Sequence, residues 1–148
     1  MILTMKTMTV TIDDLYAYRN LCKEINAIQF QINDTALAVR SPSLGGMPHG
    51  TTPGDPTARA ALKIIELEDD LNRKSNEMID QAKQIETWID SINDHEIRAI
   101  IRYHFLSGKT WRETALAMYG STTRQTAQNV WKRWYRNYIK SVESVDKC

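Results

Sequence analysis

Arg124, Gln125, Thr126, Gln128 and Asn129 fall within six residues of one another. These side chains can address the edges of base pairs: a guanidinium can bridge O6 and N7 of guanine, a carboxamide can bridge N6 and N7 of adenine, and a threonine methyl can meet that of thymine. Around them stand Lys109, Arg112, Lys132, Arg133, Arg136 and Lys140, cations suited to phosphate oxygens, with Arg98 and Arg102 as weaker candidates. Between Ile97 and Val142 the only acid is Glu113. Residues 97–148 hold ten Lys and Arg against three Asp and Glu, a net +7, while residues 1–96 hold nine against fifteen, a net −6. The overall charge of +1 therefore hides one end fit to meet a polyanion.

A basic helical surface is also what an ordinary solvated face looks like, so the elements that carry these residues decide how they are read. Asn93 with Glu96 resembles a capping box opening a helix over 95–106, whose apolar face is Ile97, Ile100, Ile101, His104 and Phe105. Ser107-Gly108-Lys109 stops it. Thr110 with Glu113 is a clearer box, opening a helix over 111–119, and Gly120 suits the left-handed residue that ends one. With Thr123 as N-cap, the last helix runs over 124–143, and Ala127, Val130 and Trp134 are its expected inward stripe. Short helix, glycine-containing turn and longer basic helix is the order of a helix-turn-helix that lays its second helix in the major groove. Trp131, Trp134, Tyr135 and Tyr138 could stack single-stranded bases, but their helical spacing reads as packing, with Tyr135 the most exposed.

The first 92 residues read differently. Ile12, Leu15, Tyr18, Cys22, Ile25, Ile28, Ile32, Ala36 and Val39 recur every three or four residues, one stripe on a long helix over 11–39 that Thr11 and Asp14 cap. A loop over 40–55, rich in proline and glycine, follows. Asp55 as N-cap and Pro56 at the first position open a second long helix to about Ile92, with a heptad-like seam of Ile64, Leu71, Ser75, Met78, Ala82, Ile85, Ile89 and Ile92. About 37 residues span about 55 Å, so the seam needs a partner along its length: the first helix in an antiparallel hairpin, or a second copy of the chain. The expected fold is all-α, a helical hairpin or coiled coil over 1–92 followed by a helix-turn-helix domain over 93–148.

At 148 residues, 42% apolar and 25% charged, the chain has the composition of a soluble globular protein. Cys22 and Cys148 suggest no disulfide framework, MILTMKTMTV lacks a signal-peptide core, and no run of eighteen apolar residues occurs, so a cytoplasmic location without membrane contact is expected. His95-Glu96 does not continue into HExxH, and His49, His95 and His104 lack a ligand spacing with either cysteine. No catalytic residue, metal or cofactor is expected.

The stretch IRAIIRYHFLSGKTWRETALAMYGSTTRQTAQNVWKRW resembles the fourth region of bacterial sigma factors. Over roughly residues 35–140 the chain is similar to small regulators of phages and prophages of Gram-positive bacteria, the ArpU/RinA-like group. The shared features are a loop carrying Ser41, Pro42, Gly46, Met47, Pro48 and Gly50 and a KIIELEDDLN-like helix. After Tyr119-Gly120 the segment STTRQTAQNV departs from the pattern, which leaves the start of the recognition helix open by two or three positions. The resemblance implies a transcription factor of late phage genes in a bacterial host, acting on double-stranded DNA in contact with RNA polymerase; the seam of the second long helix adds an expected homo-oligomer, a dimer through the N-terminal helices. Two other readings stand beside it: a small-terminase-like DNA-packaging protein, and an interaction module whose acidic half binds a host protein.

Overall fold

In the computed structural model, residues 9–40, 56–121 and 123–146 are described, and among them all regular structure is helical. The helices are α1 (Ile12–Arg40), α2 (Pro56–Asp90), α3 (His95–Ile100), α4 (Trp111–Tyr119) and α5 (Arg124–Asp146). Of the expected 40–55 loop, Arg40 still belongs to α1, and residues 41–55, with the expected cap Asp55 and the loop residues of the resemblance, lie outside the described residues. Local chemistry starts α1 as expected: Asp14 N–H donates to Thr11 Oγ1 at 3.2 Å and Thr11 N–H to Asp14 Oδ2 at 3.0 Å. For α3 the cap is Asp94, not Asn93. Its backbone is extended, and its carboxylate accepts from the N–H groups of Glu96 and Ile97.

The chain divides into two compact units, residues 20–80 and a discontinuous one of residues 1–19 with 81–148. The break expected at 92/93 thus falls at 80/81, and the start of α1 joins the C-terminal unit. Burial explains the shift: Ile85, Ile89 and Ile92, assigned from sequence to a hairpin seam, are, like Trp88, at most 7% exposed and belong to the same unit as α3, α4 and α5. The first unit counts six Lys and Arg against nine acids, net −3, and the discontinuous unit thirteen against nine, net +4.

Within residues 20–80, Ile28 and Ile32 of α1 are buried with Leu67 of α2, and Ile64 and Leu71 pack against them. Leu67, which the heptad reading left off the seam, is at its centre, whereas Met78 is only half-buried. Lys74 meets Glu24 at 3.4 Å. Numbers therefore fall along α2 as they rise along α1, so the two helices run antiparallel here. Each buried aliphatic side chain contributes about 1.5–3 kcal/mol. Phe30 (72% exposed), Leu37 (63%), Leu62 (62%) and Ile65 (54%) leave apolar surface open on both helices.

The discontinuous unit buries the whole expected face of α3 and its continuation, Ile97, Ile100, Ile101, His104 and Phe105, together with Leu15, Tyr18, Ala115, Ala127 and Trp131. On α5 the inward register differs from the expected Ala127, Val130 and Trp134. Ala127 and Trp131 are buried, and Val130 and Trp134 are half-buried. The reason is an aromatic cluster: Trp131 lies 5.0 Å from Phe105 and stacks on Tyr135, while Trp134 stacks on Tyr138. Trp88 meets both Trp134 and Tyr138 edge-on and donates its Nε1–H to Tyr138 Oη at 3.1 Å. These aromatic side chains are thus packed, as their helical spacing predicts, and Tyr135 is half-buried rather than exposed.

Candidate nucleic-acid interface

After α3 the helix widens over Ile101–Leu106, with Ser107 N–H reaching back five residues to Arg102 O. Gly108, at φ 74°, turns the chain so that Lys109 N–H donates to Tyr103 O. A Cβ there would touch nothing, so the demand for glycine is one of backbone conformation alone. Two side chains fasten this turn. His104 Nδ1 lies 2.7 Å from Lys109 O, and because a carbonyl only accepts, that nitrogen carries the proton. The same ring stacks on Trp111 at 3.6 Å between centroids. Arg19 of α1 donates from Nε to His104 O at 3.1 Å and from Nη2 to Gly108 O at 3.2 Å and Lys109 O at 3.4 Å. A guanidinium on carbonyls at and just beyond a helix end is favourable both as a donor and against the dipole.

From this anchored turn α4 starts with the expected box: Glu113 N–H donates to Thr110 Oγ1 at 3.1 Å and Thr110 N–H to Glu113 Oε1 at 3.0 Å. Those hydrogen bonds to Thr110, helped by the charges of Lys109 and Arg19, hold the Glu113 carboxyl below the usual carboxylate range. The lone acid of the basic region is thereby committed to capping. Gly120, at φ 70°, ends α4 and donates its N–H to Leu116 O. The chain then enters α5, with Thr123 N–H donating to Ser121 Oγ and Thr126 N–H to Thr123 O. Ala115 and Ala127, both fully buried, are the small residues that let α4 and α5 approach closely.

Of the base-reading candidates, Gln125, Thr126 and Asn129 are exposed, and Gln128 is half-buried on the flank. Arg124 opens α5, and its side chain lies outside the description. Among the phosphate candidates, Arg112, Lys132, Arg133, Arg136 and Lys140 are exposed and Lys109 is half-buried. At 3.6 residues per turn the exposed positions of α5 from Gln125 to Lys140 fall within an arc of roughly 140°, opposite Ala127 and Trp131. The structure separates these residues from Arg98 and Arg102, which are held by Asp90 at 3.5 Å and Glu86 at 2.8 Å. No such partner stands beside Arg112 or the four cations of the α5 stripe among the described residues.

No family model, curated protein or solved structure matches the chain. Among the described residues, no group of three His, Cys, Asp or Glu could hold a metal ion, and no helix is long and apolar enough to cross a membrane. Two residues with structural roles at this surface were missed from sequence. Arg19 acts on carbonyls 85 to 90 positions away, and nothing in its neighbourhood marks it. Trp88 was hidden within a seam read as a coiled coil, although a tryptophan between apolar positions of α2 is a signal of deep burial.

Proposed function

We propose that this protein is a sequence-specific, double-stranded DNA-binding transcriptional regulator, with α4 and α5 as a helix-turn-helix and α5 as the helix that enters the major groove. The observation that carries the reading is the one-sidedness of α5. Its exposed face joins Gln125, Thr126 and Asn129 to Lys132, Arg133, Arg136 and Lys140, its opposite face is core, and no acid occurs on it before Glu143. A solvated face without a polyanionic partner gains nothing from excluding acids, since paired charges at i and i+4 would stabilise the helix. Control of late phage genes and contact with RNA polymerase enter this proposal on the resemblance of sequence alone. Self-association through residues 20–80 is supported by the apolar side chains left open there, Phe30, Leu37, Leu62 and Ile65.

The test is a titration of the full chain against labelled duplexes, random and genomic, at several salt concentrations. With five cations on phosphates, Arg112, Lys132, Arg133, Arg136 and Lys140, the slope of log K against log salt approaches about −4.5, a loss of roughly 500-fold between 50 and 200 mM. Lys140→Ala makes the slope shallower by about one and weakens all duplexes alike. Affinity that does not change with salt, or no binding of any duplex, refutes the proposal.

A further inference from the structure

The α5 stripe changes character along its length. Among the described exposed side chains its first two turns present Gln125, Thr126 and Asn129, all neutral, and the described cations follow from Lys132 to Lys140; the side chain of Arg124, the first residue of α5, is outside them. A recognition helix reaches base edges with its N-terminal residues and backbone phosphates with the rest. We infer that the double-stranded site rests on A·T pairs, read by two carboxamides: Gln125 and Asn129 each bridge N6 and N7 of an adenine, with the Thr126 methyl against a thymine.

This inference rests on the DNA-binding reading above and gives it a sequence. Gln125 and Asn129 are one i, i+4 step apart on the exposed face, a rise of about 6 Å along the axis. The helical repeat of DNA puts neighbouring base pairs about 3.4 Å apart, so the two amides address pairs about two positions apart. Asn129 is close to the middle of the exposed arc, and the buried Ala127 and Trp131 on the far side fix which way the helix turns its amides. Neither amide has a hydrogen-bond partner among the described residues that would have to be given up. Among the described side chains, the alternative reader of guanine on this face would be Arg133, two turns beyond Gln125 and in line with the phosphate-binding Lys132 and Arg136. Its place among cations assigns it to the backbone.

The experiment is selection of duplexes from a randomised library by the full chain, followed by sequencing, for the unaltered protein and for Gln125→Arg, Asn129→Arg and Arg133→Ala. All three positions are exposed, and far-UV circular dichroism and melting of each variant show that the fold is kept. The unaltered chain should enrich two A·T pairs about two positions apart. Asn129→Arg should replace one selected adenine by guanine, and Gln125→Arg the other, each changing the preference at that position by about tenfold or more. Arg133→Ala should leave the selected sequence unchanged and lower affinity for all duplexes. Enrichment of a motif without the adenine pair, a motif that both Arg variants leave unchanged, or loss of sequence preference in Arg133→Ala overturns the inference. Salt-dependent binding with no enriched sequence overturns it while leaving nucleic-acid binding intact, and a chain that binds no duplex overturns the reading beneath it as well.

Discussion

Replacing Arg19 by alanine removes three donors from one turn at once. The Nε bond to His104 O, 3.1 Å and partly buried, carries most of the effect. The exposed bond to Gly108 O competes with water, and the 3.4 Å contact with Lys109 O is beyond the usual range, its acceptor being served already by His104. A hydrogen bond from a charged donor contributes about 1.5–3 kcal/mol, and the other two contacts add at most about 1 kcal/mol together. Arg19→Ala should therefore destabilise the discontinuous unit by about 2–3 kcal/mol, a fall in Tm on the order of 10 °C for a unit of this size. Arg19→Lys keeps the charge but not the planar fork, and should recover less than half of the loss. Urea unfolding followed by tryptophan emission measures both, because Trp88, Trp111, Trp131 and Trp134 all lie in this unit. An Arg19→Ala variant within about 0.5 kcal/mol of the parent would show that the contacts carry no stability. A lysine variant equal to the parent would show that charge, not the fork, matters.

Trp131→Ala should cost about 3–5 kcal/mol in the same urea assay. Trp131→Phe should cost much less, because it also removes a buried Nε1–H that lacks a partner among the described residues; equal costs would deny that N–H any weight. Ile32→Asp puts a carboxylate beside Ile28 and Leu67 and should melt helix in residues 20–80, lowering far-UV ellipticity while tryptophan emission keeps its native maximum. A parallel red shift in emission would mean that the two units unfold together. The Glu113 carboxyl is held below its ordinary value of 4.5 in the folded chain, so its contribution is complete above that value and is lost as pH falls through the lowered one. Glu113→Gln should lower stability near neutrality and flatten the acid limb below about pH 4.5, so that variant and parent converge at low pH. A limb of unchanged steepness would mean that other carboxyls govern it.

What was legible in the sequence was local. The Thr110–Glu113 box, the Thr11–Asp14 box and the left-handed Gly120 each depend on residues within four positions, and each is formed as read. The face of α3 was legible because five apolar-leaning residues leave no second way to orient a short helix. Where two neighbours offered the same chemistry, spacing did not choose between them. Asn93 and Asp94 could both cap α3, and the chain conformation that lets Asp94 reach two N–H groups decided it. Val130 and Trp131 could both lie inward on α5, and the aromatic contact with Phe105 settled the register. Distant partnerships left no trace at all. A seam running unbroken from Ile64 to Ile92 looks like one coiled coil, yet its two ends serve different units. At the interface, residue type and face were readable for Gln125, Thr126 and Asn129, whereas the pairing of Arg98 with Asp90 and Arg102 with Glu86 was not.

The discontinuity of the larger unit has a consequence for how the chain is made. Tyr135 Oη accepts the N–H of Ile12, two residues 123 positions apart. At about 5–20 residues per second, the ribosome delivers the second partner roughly 6–25 s after the first. During that interval the start of α1 lacks its α5 partner, while residues 20–80 can already pair α1 with α2 through contacts closer in sequence. Early pairing shortens the loop that remains to be closed, although each doubling of loop length costs only about 0.6 kcal/mol. The larger loss is in time, because distant contacts form slowly and leave apolar surface open to other chains. A nascent chain stalled near residue 130 would carry Gln125 and Asn129, the amides proposed to read bases, without Trp131, whose burial turns their face of α5 outward.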